Sequence, residues 1–106
     1  MKKYKVFATF IDDTWYIPMA NKLTCYKEFD SIKEAIACLD IIHKRFPESY
    51  ISNDGKLVRD FTYTKRDNYP YMFFDITYHG RVIWEIIEEI NGKQKPIRIN
   101  NFKLIN

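Results

Sequence analysis

Ser31-Ile32-Lys33-Glu34-Ala35-Ile36-Ala37-Cys38-Leu39-Asp40-Ile41-Ile42-His43-Lys44-Arg45-Phe46 is the stretch on which the fold turns. Ile32, Ala35, Ile36, Leu39, Ile42, His43 and Phe46 recur at three- and four-residue steps, the spacing of one helix face. Lys33, Glu34, Asp40, Lys44 and Arg45 take the other side. Ser31 followed three residues later by Glu34 has the form of a capping box. Pro47 stops the helix, because it lacks a backbone donor and pushes the residue before it out of helical geometry. Lys44 and Arg45 suit the negative end of the helix dipole.

On both sides of this helix the pattern changes to period two. Tyr4, Val6, Ala8 and Phe10 alternate with Lys3, Lys5, Phe7 and Thr9, which predicts a strand. Asp12-Asp13 reads as a turn into a second alternating segment through Trp15, Ile17 and Met19, and Leu23 to Tyr26 adds a short strand. After the helix, Asn53-Asp54-Gly55 is a turn. Leu57 to Thr64 then reads as a strand placed near an edge by Arg59 on its apolar side. Asp67, Asn68 and Pro70 mark a loop, and Met72, Phe74, Ile76 and Tyr78 set out another strand. His79-Gly80 reads as a turn, one that needs a bulge or extra residues to keep Phe74, Ile76, Val82, Trp84 and Ile86 on one face.

Arg81 to Ile90 fits a helix by the spacing of Ile83, Ile86, Ile87 and Ile90, and a strand by Val82, Trp84 and Ile86. The β-branched and aromatic content favours the strand, and Asn91-Gly92 is the dipeptide of a type I′ hairpin leading to a last strand between Pro96 and Leu104. The expectation is an α+β fold in one domain over residues 1–106: one amphipathic helix packed on a mostly antiparallel sheet, in the order ββαββββ.

A chain of 106 residues buries roughly two thirds of its unfolded surface, enough for a core without disulfides or metal. Hydrophobic residues at 46% and charged residues at 29% exclude the disordered class. Eight Tyr, eight Phe and two Trp, 17% of the chain, suit either a β-rich core or a contact surface. No apolar run approaches the roughly 20 residues of a membrane span, and Met1-Lys2-Lys3-Tyr4-Lys5-Val6 is not a signal sequence. A cytoplasmic protein without membrane contact is expected, with Cys25 and Cys38 as reduced thiols.

Signals for chemistry are absent at the level of spacing. His43 and His79 belong to no zinc pattern, Gly55, Gly80 and Gly92 are isolated at turns rather than gathered in a phosphate loop, and no serine has a nucleophile elbow. A non-enzyme with no cofactor and no metal is therefore expected, a pairing of His79 with Asp75 being the one catalytic combination worth testing.

Phe61 to Tyr71 interleaves aromatics with cations, the combination that stacks bases and neutralises phosphates, although the same rings suit a core beneath the helix. The binding candidates are Tyr63, Lys65, Arg66, Tyr69, Tyr71, His79 and Arg81, with Lys56 and Arg59 as basic neighbours. Two readings follow. The first is a non-catalytic binding module of phage or mobile-element type that binds and inhibits a host protein or protein–nucleic acid complex, for example as an anti-CRISPR-like inhibitor. Richness in Ile, Lys, Asn and Tyr suggests such a source, while a net charge of +3 argues for a wedge or allosteric mode rather than mimicry of nucleic acid. The second is direct binding of RNA or single-stranded DNA by an aromatic and basic sheet surface. Exposed edge strands and surplus aromatics are also compatible with a homodimer.

Overall fold

In the computed structural model of the chain, residues 2–12, 19–20, 24–69, 72–100 and 103–104 are described, with side chains for 2–12, 26–62, 64 and 77–100. The elements in chain order are β1 (Lys2–Asp12), β2 (Met19–Ala20), β3 (Thr24–Phe29), α1 (Ile32–Arg45), β4 (Tyr50–Ile51), β5 (Leu57–Tyr69), β6 (Met72–Ile90), β7 (Lys93–Ile97), β8 (Ile99–Asn100) and β9 (Lys103–Leu104). This is the expected α+β arrangement and order, with differences in the strands themselves: β4 is additional, the expected strands 72–78 and 81–90 are one strand, β6, and the expected last strand 96–104 is divided among β7, β8 and β9. β2 is the described end of the segment expected to run through Met19.

The helix begins and ends where its signals lie. Ser31 has extended backbone, and its Oγ accepts a hydrogen bond from the Glu34 N–H at 3.2 Å, satisfying one of the donors a helix start leaves open. Phe46, pushed out of helical geometry by Pro47, donates its N–H to the Ile42 carbonyl at 3.0 Å. Its own carbonyl accepts from the Ser49 hydroxyl at 2.6 Å and the Ser49 N–H at 2.9 Å.

The sheet is antiparallel, in the order β2-β1-β6-β5-β4. β3 lies on the edge of β1 away from β6, and β7 continues along the edge of β6 that carries β5. Tyr4, Val6, Leu57, Trp84 and Ile86 face α1 and enclose a core with Ala35, Leu39, Ile42 and Ile99. Val6, Leu39, Leu57, Ile86 and Ile99 are all at least 99% buried. Each such side chain contributes about 1.5–3 kcal/mol relative to an exposed position.

The second half departs from expectation in a consistent way. His79-Gly80 is not a turn: β6 passes straight through it, with Gly80 opposite Asp12 on one side and Phe61 on the other. A Cβ on Gly80 would stand 2.9 Å from Cζ of Phe61 and 3.1 Å from the Ile11 carbonyl oxygen, so this glycine serves close packing rather than reversal. The uninterrupted strand keeps Phe74, Ile76, Tyr78, Val82, Trp84 and Ile86 in one alternating series without any bulge. Asp67 and Asn68 likewise belong to β5, opposite Phe74 and Phe73, because cross-strand pairing overrides their turn preference.

Arg81 to Ile90 is strand, and Asn91 and Gly92 adopt φ of +50° and +80°, as the type I′ turn requires. Arg59 lies at an edge: β4 pairs with β5 only as far as Val58. Asp12 still belongs to β1, and the proposed turn at Asp13 with Trp15 and Ile17 lies outside the described residues.

The face of the sheet opposite α1 is tied by ion pairs, Lys5 to Glu89 at 2.7 Å and Lys56 to Glu85 at 3.1 Å. The Lys5 ammonium, by hydrogen bond and charge, holds the Glu89 carboxyl below its ordinary pKa. Hydrogen bonds from Arg59 and Ser52 do the same for Glu48 and Asp54. Since these pKa values are lower folded than unfolded, the stability they supply is whole above the ordinary carboxylate range and drains as pH falls through the folded values. Urea denaturation at pH 7 and pH 3 is expected to show lower stability in acid. Glu89→Gln should lessen the difference, and an unchanged pH dependence would show that the Lys5 pair contributes nothing.

Candidate interaction site on a projecting ribbon

The continuity of β6 creates a feature that separate shorter strands would not. β1 stops opposite Gly80 and β4 stops opposite Val58, whereas β5 and β6 stay paired out to Tyr69 opposite Met72. From Thr62–His79 outward, β5 and β6 therefore form a two-stranded ribbon in which, among the described residues, neither outer edge is paired. At about 3.4 Å per residue it projects roughly 27 Å. The radius of gyration is 16.9 Å and the longest extent 59 Å, against about 13 Å for the radius of a compact chain of this length.

Tyr63, Lys65, Arg66 and Tyr69 all lie in the ribbon strand β5, and His79 and Arg81 lie at its root on β6. The register divides them. Tyr63 opposite Tyr78, Lys65 opposite Ile76 and Tyr69 opposite Met72 are positions on the α1 side of the ladder. Arg66 opposite Asp75, His79 opposite Thr62 and Arg81 opposite Asp60 are positions on the other side. Tyr71 lies outside the described residues. The expected single surface is thus two faces of one thin ribbon.

On the side away from α1, Asp60 accepts from the Tyr50 hydroxyl at 3.1 Å and lies 3.6 Å from Nε of Arg81. Burial and the Asp60 carboxylate raise the Tyr50 pKa. Thr64 and Thr77 meet at 3.3 Å between hydroxyls. A shallow recess of about 370 Å³ runs between Asp60, Phe61, Thr62, His79, Gly80 and Arg81. On the α1 side, the root is a stack of rings: Arg59 lies 4.3 Å from the Phe46 centroid, and Phe46 stacks on Trp84 at 6.3 Å and 14°. Phe61 packs against Phe10 at 5.5 Å.

Three of the cations grouped in sequence with a nucleic-acid surface have acidic partners. Arg59 donates to Glu48 at 2.7 Å, Arg81 faces Asp60 and Lys56 faces Glu85. Within the ribbon, Lys65 and Arg66 are balanced by Asp67 and Asp75, and the register sets Arg66 directly against Asp75. The formal charges of residues 62–79 therefore sum to zero, so net charge alone gives the ribbon little pull on phosphates.

The geometry also bears on catalysis. His79 and Asp75 lie on one strand four residues apart, roughly 13 Å and beyond hydrogen-bond reach. His43 Nδ1 and Ser49 Oγ are 2.8 Å apart, but the serine hydroxyl donates to the Phe46 carbonyl. The imidazole N–H then donates to Ser49 rather than taking its proton, so the pair closes the helix end and does not activate a nucleophile. Among the described residues no cluster of three or more His, Cys, Asp or Glu could hold a metal, and no helix is long and apolar enough to cross a membrane.

Sequence reasoning located the ribbon's residues but not the ribbon. The signal available was the unbroken alternation from Met72 through Ile86, obscured by Gly80. In comparisons with known proteins, no family model, curated protein or solved structure matches this chain.

Proposed function

We propose that this chain is a non-catalytic binding module that docks on a protein partner through the β5–β6 ribbon. Its concrete form is an inhibitor of a host protein complex, of the anti-CRISPR kind that the composition suggests. The observation that carries the reading is the ribbon itself, two paired strands extending past the sheet with both edges unpaired among the described residues. Two-stranded hairpins are marginal alone in water and gain stability from a further strand or a packed surface. A partner supplies either by adding a strand to an open edge or by enclosing the ribbon's tyrosines and phenylalanines, the residue types that anchor interfaces. The charge balance favours protein over nucleic acid as that partner.

The test is affinity purification of the full chain from host lysate beside a variant in which residues 63–78 are replaced by Asn-Gly, joining Thr62 to His79. One partner held in stoichiometric amount by the full chain and lost from the folded variant is the expected result. Equal recovery by both chains would move the site off the ribbon. Binding of single-stranded oligonucleotides that weakens steeply with salt and is lost in Tyr69→Ala or Lys65→Ala would replace this reading with the nucleic-acid one.

A further inference from the structure

Helix α1 carries more apolar surface than its own sheet covers. Ala35, Leu39 and Ile42 are buried against the sheet, yet Ile41, on the flank of that stripe, is 63% exposed. Ala37 is exposed beside it and Cys38 is half-buried, so Glu34, Ala37, Cys38, Ile41 and Arg45 form a second stripe at three- and four-residue steps. This stripe borders a groove against β3. One part of the groove, about 420 Å³, lies between Tyr26, Phe29, Cys38 and Ile41. The other, about 240 Å³, continues past Tyr26 and Ile41 to Arg45 and Phe46.

The floor of the groove is shaped by an irregularity in β3. Val6 pairs with Lys27 and Phe7 with Cys25, leaving Tyr26 as the extra residue of a β-bulge. A bulge re-aims its side chain and spoils an edge for strand addition. Tyr26, 59% exposed, accordingly lines both parts of the groove, and the adjacent edge is poorly suited to taking up an extended peptide.

The order of charges along the stripe identifies an occupant. Glu34 lies in the first turn and Arg45 in the last, with the apolar residues between them. When the stripe is laid antiparallel against itself, Glu34 meets Arg45 of the second copy, Cys38 meets Ile41, and the same contacts recur at the other end. That is the self-complementarity a two-fold interface demands. Asp40 and Lys44, the neighbouring charges, pair within their own helix at 3.3 Å. Lys27, at the groove's rim, lies over its own Phe29 ring.

We propose that a second copy of this chain docks along this stripe, forming an antiparallel α1–α1 homodimer in which Ile41 of each copy enters the groove beside Tyr26 of the other. The ribbon takes no part in this contact and stays open for a different protein.

Sedimentation of the full chain across micromolar to millimolar concentration should show a monomer–dimer equilibrium. Ile41→Glu, at an exposed position that leaves the fold intact by circular dichroism, should abolish the dimer. Glu34→Arg and Arg45→Glu alone should each weaken it on the order of tenfold, and the two together should restore it to within about threefold, since the pairs are re-formed with reversed sign. A chain that stays monomeric throughout overturns the proposal. So does a dimer indifferent to Ile41→Glu, or one lost with the ribbon, or a double variant no better than the singles. A small apolar ligand or another protein as the groove's occupant would appear as Ile41-dependent binding by a monomer.

Discussion

Trp84→Ala is expected to lower the free energy of unfolding by about 3–5 kcal/mol. Trp84 is 8% exposed on β6, the central strand of the sheet, which pairs with β1, β5 and β7, and it stands opposite Ala8 on β1 and Leu57 on β5. Its cross-strand neighbour Ala8 is too small to close the space left by the indole. The loss extends outward, because Phe46 stacks on Trp84 and Arg59 lies over Phe46, so truncation removes the support of the whole stack. Urea denaturation followed by circular dichroism measures it, with an unchanged denaturant slope marking an effect on stability alone. A loss under about 1 kcal/mol would show that the stack collapses without a cavity.

Gly80→Val is expected to cost about 3 kcal/mol, the upper end of what overpacking costs, at a position that looks like a harmless turn in sequence. A Cβ there meets the Phe61 ring at 2.9 Å and the Ile11 carbonyl at 3.1 Å, and valine adds two methyl groups. The ring can yield by turning, but the carbonyl belongs to β1 and yields only if β1 and β6 separate. A double-mutant cycle with Phe61→Ala divides the cost. Part of the penalty should vanish when the ring is absent, and the part due to the backbone should persist. Full additivity would show that the ring yields freely and that β1 alone resists.

What could be read from the sequence was what neighbours in the chain decide. The helix boundaries were legible at Ser31, Glu34 and Pro47 because caps and breakers act over three or four residues. The hairpin at Asn91-Gly92 was legible because a type I′ turn needs positive φ at two successive residues. Gly80, Asp67 and Asn68 misled because a local reading gives them turn character, while their actual roles come from Phe61, Phe74 and Phe73 on a paired strand. The site suffered likewise. Lys56, Arg59 and Arg81 looked like free cations until Glu85, Glu48 and Asp60 were found beside them. The second stripe of α1 was hidden differently: the apolar face drawn through Ile42 left its neighbour Ile41 unassigned, and only their exposure, 8% against 63%, sets the two apart.

The pairing of β1 with β6 has a consequence for how the chain reaches this state. Lys2 stands opposite Ile90 and Asp12 opposite Gly80, so the ladder at the centre of the sheet closes a loop holding β2, β3, α1, β4 and β5. The entropy of drawing those strands together is met before any of their hydrogen bonds forms, which favours late closure. The β5–β6 hairpin, joined through residues 70 and 71, carries no such burden. On this account the projecting ribbon is assembled before the centre of the sheet, and nascent β1 waits with an unpaired edge for the strand that also builds the ribbon.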